Sequence, residues 1–206
     1  MGYVETITDN RHGMVHITLD DGQTVTFRTA DADRLGIPIG SETTKEELEQ
    51  KRLEMEYPDA LHQAVSFLAM RPHGVRELAR KLTERGFSPA TAEMAVVKLQ
   101  KENLLNDEDF SRQWTHYRSD RYGPEKIYRE LRMKGVDEET AKNAVSDTDP
   151  EDIENAAYEL AVKGMRGGKS NESLDACRQR VIRLLVRRGY SWETARKAFD
   201  RAAGER

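Results

Sequence analysis

Cysteine is nearly absent from this 206-residue chain, in which Cys177 stands alone. One thiol closes no internal disulfide, so a reducing, cytoplasmic setting is expected, with Cys177 an inert half-buried side chain in a helical run. Five histidines, His12, His16, His62, His73 and His116, form no helical HxxxH pair, since His12 and His16 fall in the β-region. With no second cysteine to help them they build no zinc site, and neither metal nor cofactor is expected. Long apolar runs are missing too. AVSFLAM (64–70) is about the longest, far short of a membrane span. The opening MGYVET has no basic region followed by an apolar stretch, so no signal peptide is expected. Its loose fit to a myristoylation pattern is read as coincidence, because the same residues look like a first β-strand.

What the chain has in abundance is charge. Hydrophobic residues make up 37% and charged residues 34%, which implies slim cores between helices and a large surface. The net charge of −4 is unevenly spread. Residues 1–59 hold 6 Lys/Arg against 13 Asp/Glu, whereas residues 178–206 hold 9 against 3. A basic C-terminal surface suggests an anionic partner; the alternative is ordinary helix faces of mixed charge.

The first forty residues contain the convincing β-region. MVHITL alternates, and Asp20-Asp21-Gly22 forms the turn after it. A three-residue loop pairs Leu19 with Gln23, Ile17 with Val25 and Val15 with Phe27. That register keeps apolar side chains on one face and puts Gly22 at the left-handed position. YVETI is expected to add a third strand. From Thr44 onward the pattern is helical. Thr44 and Glu47 make a capping box, and the helix they open is expected to stop or kink at Pro58.

Three later stretches then align without gaps: LTERGFSPATAEMAV (82–96), LRMKGVDEETAKNAV (131–145) and LVRRGYSWETARKAF (185–199). Each has Leu, a basic residue, Gly, an apolar residue, Thr-Ala, Ala, and Val or Phe at the same places. Gly86, Gly135 and Gly189 read as left-handed helix caps. Ser88, Asp137 and Ser191 read as N-caps of the helix that follows. A further helix precedes each pair, at about 59–70, 107–119 and 150–163, so the unit is three helices. The expected organisation is a β-hairpin region with a short helix (1–43), a connecting helix (44–58), and three-helix repeats at 59–106, 107–148 and 149–206. The fold class is mainly α, with the repeats in an elongated curved array. The motif Leu residues are 49 apart from Leu82 to Leu131 and 54 apart from Leu131 to Leu185, and the five extra residues are assigned to the loop before the second helix of repeat three.

That loop, KGMRGGKSNES (163–173), ends like a phosphate-binding loop. The motif needs Gly five residues before Gly168, where Lys163 stands, and a strand must lead into it, whereas ENAAYELAVK is helical. It is read as an inter-helix linker.

The repeat after an N-terminal hairpin resembles the RecX family of bacterial regulators of RecA recombinase, over nearly the whole chain. FLAMRPHGVRELARKLTERGF (67–87) looks like that family's opening repeat, LLNDEDFSRQW (104–114) like its acidic-aromatic link, and VTFRTADADRLGIPIGS (25–41) like the hairpin and short helix of longer members. Pro72-His73-Gly74 departs from the Ser-containing helix start more usual there. The resemblance implies no enzymatic activity. It implies binding in the groove of the RecA filament on single-stranded DNA, hindering ATP hydrolysis, strand exchange and filament extension. A direct DNA-binding protein that competes for nucleic acid is the alternative. A monomer without membrane attachment is expected.

Candidate contacts follow from the alignment. Arg80, Arg129 and Arg183 stand two residues before each motif Leu, about 200° from the buried stripe; they form either an exposed row or local ion pairs. Arg180, Arg183 and Arg187 share one helix face, in a stretch (QRVIRLLVRR) with no acidic residue. Arg118, Arg121, Lys126, Arg129 and Arg132 surround Tyr117 and Tyr122, a mixture that suits single-stranded nucleic acid; the aromatics read alternatively as core. Trp192 aligns with Pro89 and Glu138, a surface first-turn position, and is either a contact residue or packed on the preceding helix.

Overall fold

The computed structural model describes residues 2–10, 13–167 and 172–204. Contacts divide the chain into two compact units, Met1–His73 with Glu77–Leu105, and Gly74–Arg76 with Asn106–Arg206.

In the first unit, β1 (Gly2–Asn10), β2 (Met14–Leu19), β3 (Thr24–Arg28) and β4 (Glu42–Thr43) form an antiparallel sheet in the order β3-β2-β1-β4. The hairpin has the register that its apolar pattern demands, with Val15 opposite Phe27 and Ile17 opposite Val25. The Leu19 amide bonds to Gln23 O at 2.8 Å, and Gly22 has φ 82°. GYVET opens β1, the additional strand expected there. The two-residue β4 carries too little pattern to be foreseen. Val4, Val15, Ile17, Leu19, Val25 and Phe27 point to one face and bury Leu48 of the next long helix.

Between β3 and β4 lies α1 (Thr29–Leu35), followed by α2 (Lys45–Met70), α3 (Val75–Glu84) and α4 (Pro89–Lys101). The capping box opens α2, with reciprocal bonds of 3.1 Å between Thr44 and Glu47. Of the stop or kink expected at Pro58, the stop does not occur, since α2 runs through it. A proline inside a helix costs about 3 kcal/mol. Burial on both sides of it, at Leu48 and Glu56 and then at Ala60, Ala64 and Phe67, offsets that cost.

The second unit holds α5 (Asp107–Ser119), α6 (Pro124–Met133), α7 (Glu138–Ser146), α8 (Pro150–Arg166), α9 (Leu174–Arg187) and α10 (Trp192–Gly204). Repeat two closes on Phe110, Ile127, Leu131, Val136 and Ala141, and repeat three on Leu160, Val181, Leu185, Tyr190 and Phe199 among others. Cys177 is a buried free thiol in the second of these cores. The extra length of repeat three is not confined to the loop. α8 has 17 residues against 13 in α5, and α9 has 14 against 10 in α6, so helical turns take up much of it.

The turn chemistry repeats as read. Gly86, Gly135 and Gly189 have φ of 90°, 91° and 91°. Ser88, Asp137 and Ser191 accept from the amides of Thr91, Thr140 and Thr194 at 3.2, 2.9 and 3.0 Å. The Thr of the motif is therefore the third helical residue, whose amide the cap must satisfy. The departure at Pro72-His73-Gly74 is made good from elsewhere. Asp107 Oδ1 accepts from the Val75 amide at 2.8 Å, standing in for the missing Ser. Burial pushes the Asp107 carboxyl up, and the Val75 amide pulls it back.

Candidate anion-binding interface

The arginines that sequence grouped together separate into struts and free cations. Arg118 is a strut. Its Nε and Nη2 donate to the Glu130 carboxylate at 2.8 and 2.5 Å, and Trp114 Nε1 donates to the same group at 3.2 Å. The guanidinium also lies 4.1 Å from the Tyr122 centroid. The Glu130 bond holds the Arg118 pKa above its ordinary value against the effect of burial. Arg132 donates to Val136 O at 2.7 Å and ties down the turn between α6 and α7. Arg180 is also held. Although QRVIRLLVRR contains no acid, Glu172 just ahead of α9 grips Arg180 Nε and Nη2 at 2.8 and 2.7 Å, and Gly164 O takes Nη1 at 2.9 Å. Only the stretch itself was free of acids; its surroundings were not.

The aligned arginines are all exposed. Arg80 reaches Glu84 at 3.0 Å and Arg129 reaches Glu125 at 3.4 Å, each one helical turn apart, while Arg183 donates to Gln179 Oε1 at 3.0 Å. Exposed pairs of this kind contribute about 0.3–0.5 kcal/mol, so an arriving phosphate exchanges with them readily. All three side chains face solvent, and two of the three make local ion pairs.

Arg121 and Arg187 are exposed and, among the described residues, neither side chain has an ion-pair partner. The backbone brings their turns together. Gly123 N donates to Arg188 O at 2.9 Å and Glu125 N to Gly189 O at 3.2 Å, so the glycine turn of repeat three sits on the first turn of α6. Arg188 Nη1 adds a longer bond to Arg121 O at 3.4 Å. Lys126, on that same first turn, lies 3.9 Å from the Tyr122 centroid. Arg121, Lys126, Arg187 and Arg188 thus converge at one joint, where none of them forms an ion pair with a carboxylate among the described residues. Such a cluster suits successive phosphates of a nucleic-acid backbone, or an acidic protein surface.

The aromatics are placed less uniformly than either reading required. Trp114 is half-buried in the repeat-two core, whereas Tyr117, one turn away, is 68% exposed. Tyr122, flanked by Arg118 and Lys126, is a scaffold for cations and not an open stacking platform. Trp192 is 62% exposed at the start of α10, with Arg196 5.6 Å from its ring.

Two sets of residues escaped the sequence reading. Glu56 is buried in α2 and accepts from Ser88 N at 2.9 Å and Thr91 Oγ1 at 2.7 Å, adding a carboxylate to the N-terminus of α4. No local motif marks it. Gly123 and Gly74 stand 49 residues apart, the spacing of the repeats themselves, and that period was the available signal. A Cβ on Gly123 would lie 2.5 Å from the Gly189 backbone.

Residues 168–171 of the KGMRGGKSNES segment lie outside the described residues. The element that leads toward them is α8, a helix, and the described sheet is antiparallel. Among the described residues no three His, Cys, Asp or Glu side chains are grouped to hold a metal ion, and no helix is long and apolar enough to cross a membrane.

Fold and joint together define a protein of tandem three-helix repeats in which the capping turn of repeat three seats on repeat two. Its chain belongs to the RecX family: the models of that family's first, second and third three-helix domains match residues 60–99, 106–145 and 151–199. A Regulatory protein RecX from Amycolatopsis mediterranei is 33% identical over 139 residues, 66% of this chain and 79% of the relative. One from Clostridium perfringens (strain SM101) is 29% identical over 198 residues, covering 94% and 92% of the two chains. A crystal structure of regulatory protein RecX superposes with TM-score 0.66 at 20% identity, over 97% of this chain and all of that one.

Proposed function

We propose that this protein regulates RecA recombinase by non-covalent binding along the groove of the RecA filament on single-stranded DNA. Occupying the groove hinders ATP hydrolysis, strand exchange and filament extension. The observation that carries the reading is the joint of repeats two and three, where Arg121 and Arg187 stand exposed, with no ion-pair partner among the described residues, beside Lys126 and Arg188. Family membership and the curated relatives named Regulatory protein RecX support a regulatory role. Arg80, Arg129 and Arg183 are secondary contacts, held by weak local partners that a groove lined with anionic groups displaces.

Direct nucleic-acid binding is the second reading, favoured by Trp192, an exposed ring beside Arg196 on which a base can stack. One experiment separates the two. RecA ATP hydrolysis on single-stranded DNA is measured while the protein is titrated in, with binding to bare DNA followed at the same salt. Inhibition well below the concentration that coats DNA supports filament binding; inhibition only at DNA saturation transfers the effect to competition for DNA.

A further inference from the structure

The second unit also carries a surface of the opposite sign. A cleft of about 820 Å³ opens between α5, the α7–α8 turn and α8. Its walls hold five carboxylates, Asp120, Asp147, Asp149, Asp152 and Glu159, against two cations, Arg112 and Lys163. Asp149 is engaged as the N-cap of α8, accepting from Glu151 N at 2.8 Å, and Arg112 is already bonded to Asp109. Asp120, Asp147, Asp152 and Glu159 take part in no ion pair among the described residues. A second observation is independent of this charge. Thr115 on the cleft wall is 5% exposed, and its hydroxyl has no hydrogen-bond partner among the described residues. Buried hydroxyls are ordinarily satisfied, so this one is an unmet polar group in the cleft wall, which a donor reaches once a docked side chain displaces its cover.

Carboxylates gathered in a concave site repel one another and concentrate a negative potential that excludes nucleic acid and attracts cations. Their arrangement is not that of a metal site, because no three ligating side chains are grouped among the described residues. The volume suits several side chains better than one ion. Guanidinium and ammonium groups carry only donors, which is what unpaired carboxylates and a free hydroxyl oxygen accept.

We propose that this cleft docks a Lys/Arg-rich peptide segment of a partner protein. The inference is separate from filament binding through the basic joint, and its test does not use RecA. The full-length protein is titrated into fluorescein-labelled hexa-arginine, and binding is read by anisotropy. Saturable one-to-one binding is expected, weakened about tenfold by Asp147→Asn with Asp152→Asn. Glu5→Gln with Asp33→Asn, in the acidic first unit, leaves it unchanged. Thr115→Val, which keeps the side-chain shape, weakens binding about threefold and reports on the hydroxyl where the acidic pair affects folding. Equal losses in the two double variants, unchanged affinity in the cleft variant, or absence of saturation would overturn the proposal. So would displacement of the peptide by spermidine at equal concentration, which would assign the cleft to small polyamines.

Discussion

The glycine turns of repeats one and three are alike in sequence and in backbone, yet differ in what they touch. Gly86 and Gly189 have φ of 90° and 91°. Around Gly86 the nearest atoms to an added Cβ lie 3.8 Å away, on the side chains of Arg28 and Met14. A Cβ added at Gly189 would instead press on the Lys126 amide nitrogen. Gly135 is intermediate: a Cβ added there would lie 2.6 Å from the Arg76 Cβ. One glycine is therefore kept for its left-handed conformation alone, and the others for conformation and for close approach of a neighbouring turn. A motif residue can be held in place by different physics in each copy.

Alanine substitution breaks this comparison if the three sites respond equally. Gly189→Ala is expected to cost most, about 3–4 kcal/mol, from left-handed strain together with overpacking against backbone that cannot yield. Gly135→Ala follows at about 2–3 kcal/mol, because the Arg76 stem gives way in part. Urea denaturation of the three variants gives the order directly.

The arginines of repeats two and three sharpen the same lesson. Arg118 is bonded to Glu130 from inside, whereas Arg187 faces water. Reversing Arg121 and Arg187 together to Glu is expected to raise the concentration needed for half-inhibition of RecA ATP hydrolysis about tenfold, with the melting temperature nearly unchanged. Arg118→Glu should lower the melting temperature, because it leaves Glu130 facing a like charge. If the surface pair unfolds the protein, or leaves inhibition untouched, the division between strut and contact is wrong.

Much of this was legible in the chain because it is local. Cap, turn and register depend on residues within a few positions of one another, so Gly22, Gly86, Ser88 and the hairpin pairing follow from short patterns. Partners that arrive from a distance in sequence do not. Glu130 lies 12 residues from Arg118, and Glu56 lies 32 residues from Ser88. Pro58 fails to stop α2 for a related reason: its local cost is outweighed by burial along the whole helix. The basic joint depends on Gly123 meeting Gly189, a contact visible in sequence only as a shared repeat period.

A smaller effect is expected at Gly86. With room for a methyl group, Gly86→Ala should cost about 1 kcal/mol, the left-handed penalty alone. A cost as large as that at Gly189 would mean the turn of repeat one is also pressed against rigid neighbours.

The smallest difference sits one residue further on, where the repeats place Phe87, Val136 and Tyr190. All three are buried, and only Tyr190 brings a hydroxyl, which has no hydrogen-bond partner among the described residues. Burial pushes its pKa up to about 12, with Arg188 lowering it and Asp120 raising it. The folded state thus favours the neutral phenol. Tyr190 contributes stability that is fully present below its unfolded pKa near 10 and is lost as pH rises through about 12. Tyr190→Phe removes both the orphaned hydroxyl and the titration. Stability at neutral pH should stay level or rise by up to about 1 kcal/mol, and the decline between pH 10 and 12 should flatten relative to the parent. Denaturation curves at pH 7, 10 and 11.5 test this. A loss at pH 7 would mean that the hydroxyl has a partner after all, a bound water being the simplest.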